Sequence, residues 1–297
     1  MGIPVLVLGQ SGTGKSYSMK NFEENELCLI SVQKSLLPFR KKFTETVVTD
    51  SYKKITEAMK STNKKVIVID DTQYLMCNEF MRRATEKGFD KFTEIAQNFW
   101  SLIVENINAL PDDAIVYLLC HTTTDENGVE KMKTIGKLVD EKITPEGLFT
   151  IVLKTVVSDG NYGFVTQNNG KDTVKSPEGM FSTYALNNDL KYVDEKIRNY
   201  YELGELFLTD DEIKEIDEIN KNLKIEPPKP REERKRKTRD GEESERKQRK
   251  SREEVQAANT EAVVNAGVDE TGEEVPFDEL DAPEVEALPR RRRRRTE

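Results

Sequence analysis

Gly9-Gln10-Ser11-Gly12-Thr13-Gly14-Lys15-Ser16 is a complete phosphate-binding loop pattern, G-x-x-x-x-G-K-S. It follows the apolar run Ile3 to Leu8 and precedes Lys15 to Phe22, which reads as the first turns of a helix. Strand, loop and helix therefore come in the order the motif needs. The glycines let backbone N–H groups curl around phosphates with no Cβ in the way. A helix starting near Lys15 points its positive dipole end at a β-phosphate. Lys15 reaches β- and γ-phosphates as a point charge, and Ser16 offers a hydroxyl to Mg²⁺. Gly9, Gln10, Ser11, Gly12, Thr13, Gly14, Lys15 and Ser16 are thus the candidate ATP-binding residues.

Val66-Ile67-Val68-Ile69 ends in Asp70-Asp71. A buried strand closing on a carboxylate is what a Walker B strand requires. Its end is expected beside the P-loop, where Asp70 holds the Mg²⁺ shell with Ser16; the alternative is a turn or cap residue. Asp71 either polarises the attacking water as general base or simply faces solvent. His121 ends the apolar run Ile115 to Cys120, at the edge where α/β sheets bind ligands. It is read as a γ-phosphate sensor, against a purely structural histidine. Thr72 and Gln73 are read as caps of the segment after them, Trp100 as core, and Cys28 and Cys120 as inert core thiols.

The elements that must position these residues emerge from periodicity. Ile3–Leu8, Leu27–Val32, Glu45–Asp50, Val66–Ile69 and Ile115–Cys120 are short apolar or β-branched runs. Ser51–Ser61 carries Tyr52, Ile55 and Met59 at helical spacing. Phe92–Leu110 repeats Ile95, Phe99, Leu102, Ile103, Ile107 and Leu110 at spacings of three and four. Buried strands alternating with helices predict an α/β domain with a largely parallel sheet. Later, Phe149–Val157, Tyr162–Thr166 and Thr173-Val174 are β-branched, with the turn signals Asp159-Gly160-Asn161 and Asn168-Asn169-Gly170 between them, which predicts a late antiparallel hairpin. Tyr192–Leu206 and Thr209–Leu223 read as two exposed closing helices, the second opened by a Thr209/Glu212 capping box.

Composition limits what this domain does. The 297 residues carry a net charge of −9 and no apolar run long enough to span a membrane. No secretory signal is expected from the first residues. Three cysteines without metal-type spacing suit a reducing cytoplasm. The stretch from Ile225 to Glu297 lacks apolar periodicity. Residues 229–252 hold 12 Lys/Arg against 6 Asp/Glu, residues 253–289 hold 12 acidic residues and no Lys or Arg, and Arg290 to Arg295 close the tail. Such a segment buries too little apolar surface to offset its ordering entropy, so 225–297 is read as a disordered charged tail after one domain, 1–224. The acidity of that domain argues against binding nucleic acid by bulk charge alone.

Taken together, Gly9–Ser16, Val66–Asp71, Leu119-Cys120-His121, Asp125-Glu126-Asn127-Gly128, Gly136-Lys137, Asp159–Phe164 and Thr173–Phe181 carry a resemblance. Over roughly residues 1–185 the chain resembles the phage-encoded RecA-like AAA-type ATP-binding proteins, a group that includes short RecA-core single-strand annealing proteins. The resemblance implies a RecA-like P-loop NTPase core with the Walker B strand near its middle. It also implies ATP and Mg²⁺ as cofactors, homo-oligomers, and single-stranded DNA as partner in phage recombination or annealing. A single-strand-binding protein or another replication partner would belong to that setting. Such proteins place a trans-acting cation on the late hairpin; Lys175 is the matching position, and an ordinary exposed strand lysine is the other reading. The group often has an Arg two residues on, where this chain has Pro177. Where RecA-type enzymes carry a catalytic Glu after the second strand, Gln33 stands here, so hydrolysis is expected to be slow or to depend on Asp71. Two other classes compete: a P-loop switch or assembly factor that recruits a protein and binds no DNA, and a metabolic kinase, for which no substrate pocket is recognisable.

Overall fold

Strands that are apolar at every position are stable only when covered on both faces, and that requirement organises this chain. The computed structural model describes residues 1–225 except Lys137, Glu205, Phe207 and Lys224; the charged tail from 226 lies outside the described residues. Among the described residues ten strands occur, in chain order: β1 (Ile3–Leu8), β2 (Leu27–Ser31), β3 (Glu45–Val48), β4 (Val66–Asp70), β5 (Ile115–Cys120), β6 (Thr122–Thr124), β7 (Glu130–Met132), β8 (Ile151–Ser158), β9 (Asn161–Val165) and β10 (Ala185–Asn187). Eight of them form one sheet in the order β10-β9-β8-β1-β5-β4-β2-β3, parallel from β8 to β3, with β9 and β10 antiparallel. β6 and β7 make a separate hairpin. The fold is therefore the expected α/β class, a mostly parallel sheet with a late antiparallel hairpin.

Alternate residues of the central strands feed two cores. Leu6, Leu8, Ile67, Ile69, Val116 and Leu118 pack with Ile55 and Met59 of α1 (Tyr52–Ser61) on one face. They also meet Leu75 and Met76 of α2 (Gln73–Arg82) and Ile95 and Phe99 of α3 (Asp90–Ser101). Val5, Val7, Val66, Val68, Tyr117 and Leu119 pack on the other face with Met19, Phe22, and Val193 and Ile197 of α4 (Leu190–Tyr201). All six periodic residues from Ile95 to Leu110 are buried. The helix does not stay α throughout: Leu102–Ile107 is wound as a π-helix. There Asn106 Nδ2 donates to the Ser101 carbonyl at 3.0 Å, competing for a backbone acceptor.

Three expectations are corrected, and one hairpin is added. α4 is not exposed. Its Asp194 and Arg198 form a buried ion pair at 2.6 Å, Tyr117 Oη donates to Asp194 at 2.8 Å, and Arg198 reaches the carbonyls of Asp113 and Lys65. Those partners lie at the N-terminal end of β4 and β5, so a charge pair that reads as helix surface is an anchor to the sheet. Thr173-Val174 is no hairpin strand. The hairpin joins β8 to β9 through Asp159-Gly160, both at positive φ (50° and 79°), and its third strand is β10. Trp100 is half-buried rather than core. β6–β7, turned through Asp125–Gly128, is a hairpin that period-two patterning is too short to reveal. The capping box of α5 (Asp210–Lys221) forms as expected, and Cys28 and Cys120 are buried, with burial pushing the Cys28 thiol up to about 12.

Candidate functional site

The loop after β1 is shaped by what surrounds it. A Cβ on Gly9 would stand 1.9 Å from Thr155 Oγ1 of β8, so only glycine allows the chain to leave the sheet there. Gly14 sits at φ +97°, and a Cβ on it would meet Asn188 Nδ2 and Tyr162 Cδ1 at 3.0 Å. Thr13 Oγ1 bonds Thr155 Oγ1 at 2.6 Å and donates to the Gln10 carbonyl at 2.8 Å, closing the loop on itself. Lys15 Nζ donates to the carbonyls of Gly9 and Gln10, both at 2.9 Å. Burial lowers the Lys15 pKa, and the charges of Asp71 and Asp70 offset part of that effect. The expected helix Lys15 to Phe22 is instead a 3₁₀ segment, Ser16–Asn21, of six residues. So short a segment aligns few peptide dipoles, and the loop N–H groups and Lys15 supply most of the field an anion would meet.

Asp70 ends a strand that is not a neighbour of β1, since β5 lies between β1 and β4, and the end of that strand nevertheless lies beside the loop. The loop crosses the end of β5, and Ser16 Oγ donates to Asp70 Oδ1 at 3.0 Å. Asp70 is 4% exposed, and its pKa is raised to about 6, first by burial and then by Asp71, against the pull of Ser16 and Lys15. Asp71 adopts φ +61°, a left-handed conformation that costs a non-glycine residue of order 1–3 kcal/mol. That backbone turns its carboxylate to His121, whose Nε2 lies 3.3 Å from Asp71 Oδ1. Tyr74 packs edge-on against the His121 ring. Gln73 is not a cap: its Oε1 accepts the His121 N–H at 3.2 Å, while Thr72 Oγ1 donates to the Ile69 carbonyl at 2.7 Å. These two residues bracket the ends of β4 and β5.

A cleft of about 560 Å³ runs between these groups. Ser11, Gly12, Gly14, Lys15, Ser16, Asp71 and His121 line it together with Tyr17, Leu36, Pro38 and Tyr162. Tyr17 and Tyr162 stand 6.4 Å apart, centroid to centroid. The structure thus brings together every predicted site residue except Lys175. That residue is exposed and bridges Val152, which is level with Leu6 and two residues short of the Leu8–Lys154 register from which the loop springs. Lys154 stands beside the P-loop, buried between Glu130 (3.0 Å) and Asp172 (2.8 Å). Glu130 also accepts from Gln10 Nε2 at 3.0 Å, so a buried ionic cluster grips the loop. Gln33, at the position of the missing glutamate, donates to Asn78 Oδ1 at 3.3 Å. Tyr162, Asn188, Thr155 and the Glu130–Lys154–Asp172 cluster escaped sequence reading. Only Lys154, a charge inside an otherwise apolar run, carried a signal.

The residues fit a Mg²⁺ ion held with nucleotide. Mg²⁺ takes hard oxygen ligands, one or two from protein and the rest from phosphate and water, and Ser16 Oγ and Asp70 Oδ1 supply such a pair. No cluster of three or more His, Cys, Asp or Glu able to hold a metal occurs among the described residues. No helix among them is long and apolar enough to cross a membrane.

The fold and the loop's place in it define a P-loop α/β protein. No protein-family model matches the chain, and no curated protein matches it. Among solved structures it is similar to a KaiC-like protein, PH0186, from Pyrococcus horikoshii OT3, at 14% identity and a TM-score of 0.35, over 55% of this chain and 78% of that one. The class rests on the sheet order and on the P-loop at the mouth of β1.

Proposed function

We propose that the protein binds ATP with Mg²⁺ in this cleft and hydrolyses it slowly. The observation that carries the reading is that Lys15 and Ser16 line a cleft together with Asp71 and His121, while Ser16 Oγ donates to the buried Asp70 behind it. Mg²⁺, when bound, neutralises charge on the β- and γ-phosphate oxygens. Lys15 exchanges its loop carbonyls for those oxygens. Asp71, oriented by His121, takes a proton from water. The water oxygen bonds to the γ-phosphorus while the bond to the β,γ-bridging oxygen breaks, its electron pair leaves with ADP, and the proton passes from Asp71 to solvent. His121 contacts the γ-phosphate and links its presence to β5. Tyr17 and Tyr162 offer ring faces to the base. The absence of a glutamate at Gln33 agrees with a low rate.

The finer reading is that ATP binding or hydrolysis controls an oligomer acting on single-stranded DNA in recombination or annealing. The resemblance supports it, and so does a groove of about 840 Å³ that shares Ser35 and Leu36 with the cleft and is walled by Phe39, Arg40, Lys42 and Val48. Basic side chains beside aromatic and apolar ones suit a single strand. ATP hydrolysis measured with and without single-stranded DNA, alongside sizing with and without nucleotide, tests both levels. Stimulation by DNA with nucleotide-dependent assembly is expected. Hydrolysis indifferent to DNA would favour a switch that recruits a protein partner, and no nucleotide binding would remove the ATPase reading altogether.

A further inference from the structure

A second, smaller cavity of about 160 Å³ adjoins the cleft, sharing Ser11 and His121 with it. Gln10 and Ser11 of the P-loop form one wall, Gln73, Tyr74 and Cys77 of α2 another, and Lys133 closes it from the hairpin side. Lys133 directly follows β7, and its backbone is fixed: its N–H donates to the His121 carbonyl at 2.9 Å. The hairpin is itself tied to the P-loop by Gln10–Glu130 and to β8 by Glu130–Lys154. Other lysines of this region are neutralised, Lys131 by Asp140 at 2.7 Å and Lys154 by two carboxylates. Lys133 has no carboxylate within ion-pair distance among the described residues. Lys133 is exposed, and it lines this cavity with Gln10, Ser11 and His121, a cation placed for an anion.

We propose that Lys133 is a catalytic residue that contacts the terminal phosphoryl group from within the same chain, through the gap between Ser11 and His121. The inference rests on the nucleotide reading above. The γ-phosphoryl oxygens carry the charge that distinguishes ATP from ADP, so a cation aimed there favours the triphosphate. The same cation stabilises the charge that gathers on those oxygens and on the bridging oxygen as the bond breaks. It also gives the site a cation from its own chain, whereas Lys175 is expected to act on a neighbour's nucleotide.

The test compares binding of ADP and of the β,γ-imido analogue of ATP, each with Mg²⁺, in the full chain and in Lys133→Gln and Lys133→Arg. Lys133→Gln should weaken the analogue about tenfold or more, the scale of one charge-assisted hydrogen bond, and leave ADP unchanged. Its kcat should fall by at least as much, and Lys133→Arg should keep most of both. Lys133→Gln mixed with Lys15→Ala should show no recovered hydrolysis, because each site lacks its own part; recovery would overturn the assignment to the same chain. An unchanged ratio of analogue to ADP affinity in Lys133→Gln, with wild type binding both, would overturn the role of Lys133 alone. Wild type that binds neither nucleotide would overturn the nucleotide reading, and this inference with it.

Discussion

Replacing Asp70 with Asn should stabilise the protein while disabling it. Asp70 is buried, and its pKa moves from 3.8 to about 6, mainly because burial penalises the carboxylate. A raised folded pKa means that the folded state holds the proton more tightly than the unfolded state. The contribution to stability is therefore complete below about pH 4 and is lost as pH rises through about 6. Two units at ~1.4 kcal/mol each put the loss on the order of 2–3 kcal/mol by pH 8. Asparagine removes the charge and keeps an acceptor for the Ser16 hydroxyl. Without nucleotide or Mg²⁺, Asp70→Asn should match wild type near pH 4.5 and exceed it at pH 8 by roughly 5–10 °C in Tm. Adding Mg-ATP should reverse the order, because only wild type has the carboxylate that joins Ser16 at the ion. Thermal melts at both pH values, with and without Mg-ATP, measure all of this. A variant less stable than wild type at pH 8, or a gap that ignores pH, would refute the electrostatic account of Asp70.

Lys15→Ala should weaken Mg-ATP binding by about 10- to 100-fold in calorimetric titration, the worth of charge-assisted bonds to phosphate. Gly9→Ala should lose binding as well, since its methyl group would overlap Thr155; the double variant Gly9→Ala with Thr155→Ala should recover part of it. Lys154→Met should cost ~3–5 kcal/mol in denaturant unfolding by leaving Glu130 and Asp172 uncompensated, and adding Asp172→Asn should return much of that. Deleting residues 229–297 should leave the melting temperature within a degree or two of the full chain, because that stretch offers no apolar periodicity; a large drop would show that the tail packs on the domain.

The parts of this site that sequence revealed share one property: local order dictates them. The P-loop needs its glycines at fixed spacing because its backbone contacts the ligand, and the Asp70 strand announces itself because both faces are covered. What lay hidden depends on which strands become neighbours. Nothing within Val66–Asp70 says that β5 intervenes before the P-loop. Nothing in the tripeptide Glu130-Lys131-Met132 says that Glu130 grips Gln10. Asp194 and Arg198 lie in a stretch that periodicity alone leaves exposed, because an i,i+4 pair reads the same on either face; packing against β4 and β5 buries them.

The two lysines show the same limit acting on function. Lys175 is expected from its place in a motif as a cation for a neighbouring copy, and a motif fixes order along the chain but not height on a sheet. Its bridge to Val152 puts it level with Leu6, below the edge where the loop begins. Lys133 carries no motif, yet its backbone is held: its N–H donates to the His121 carbonyl, the Met132 N–H donates to Glu146, and Gln10 Nε2 donates to Glu130. A lysine contributes a single point charge, so its effect on phosphoryl transfer depends on how firmly its backbone is placed. On the role proposed for Lys133, the hairpin after β5 couples the nucleotide's terminal phosphate to the rest of its own domain, and a Lys175 acting on a neighbouring copy is a separate question that the mixing experiment decides.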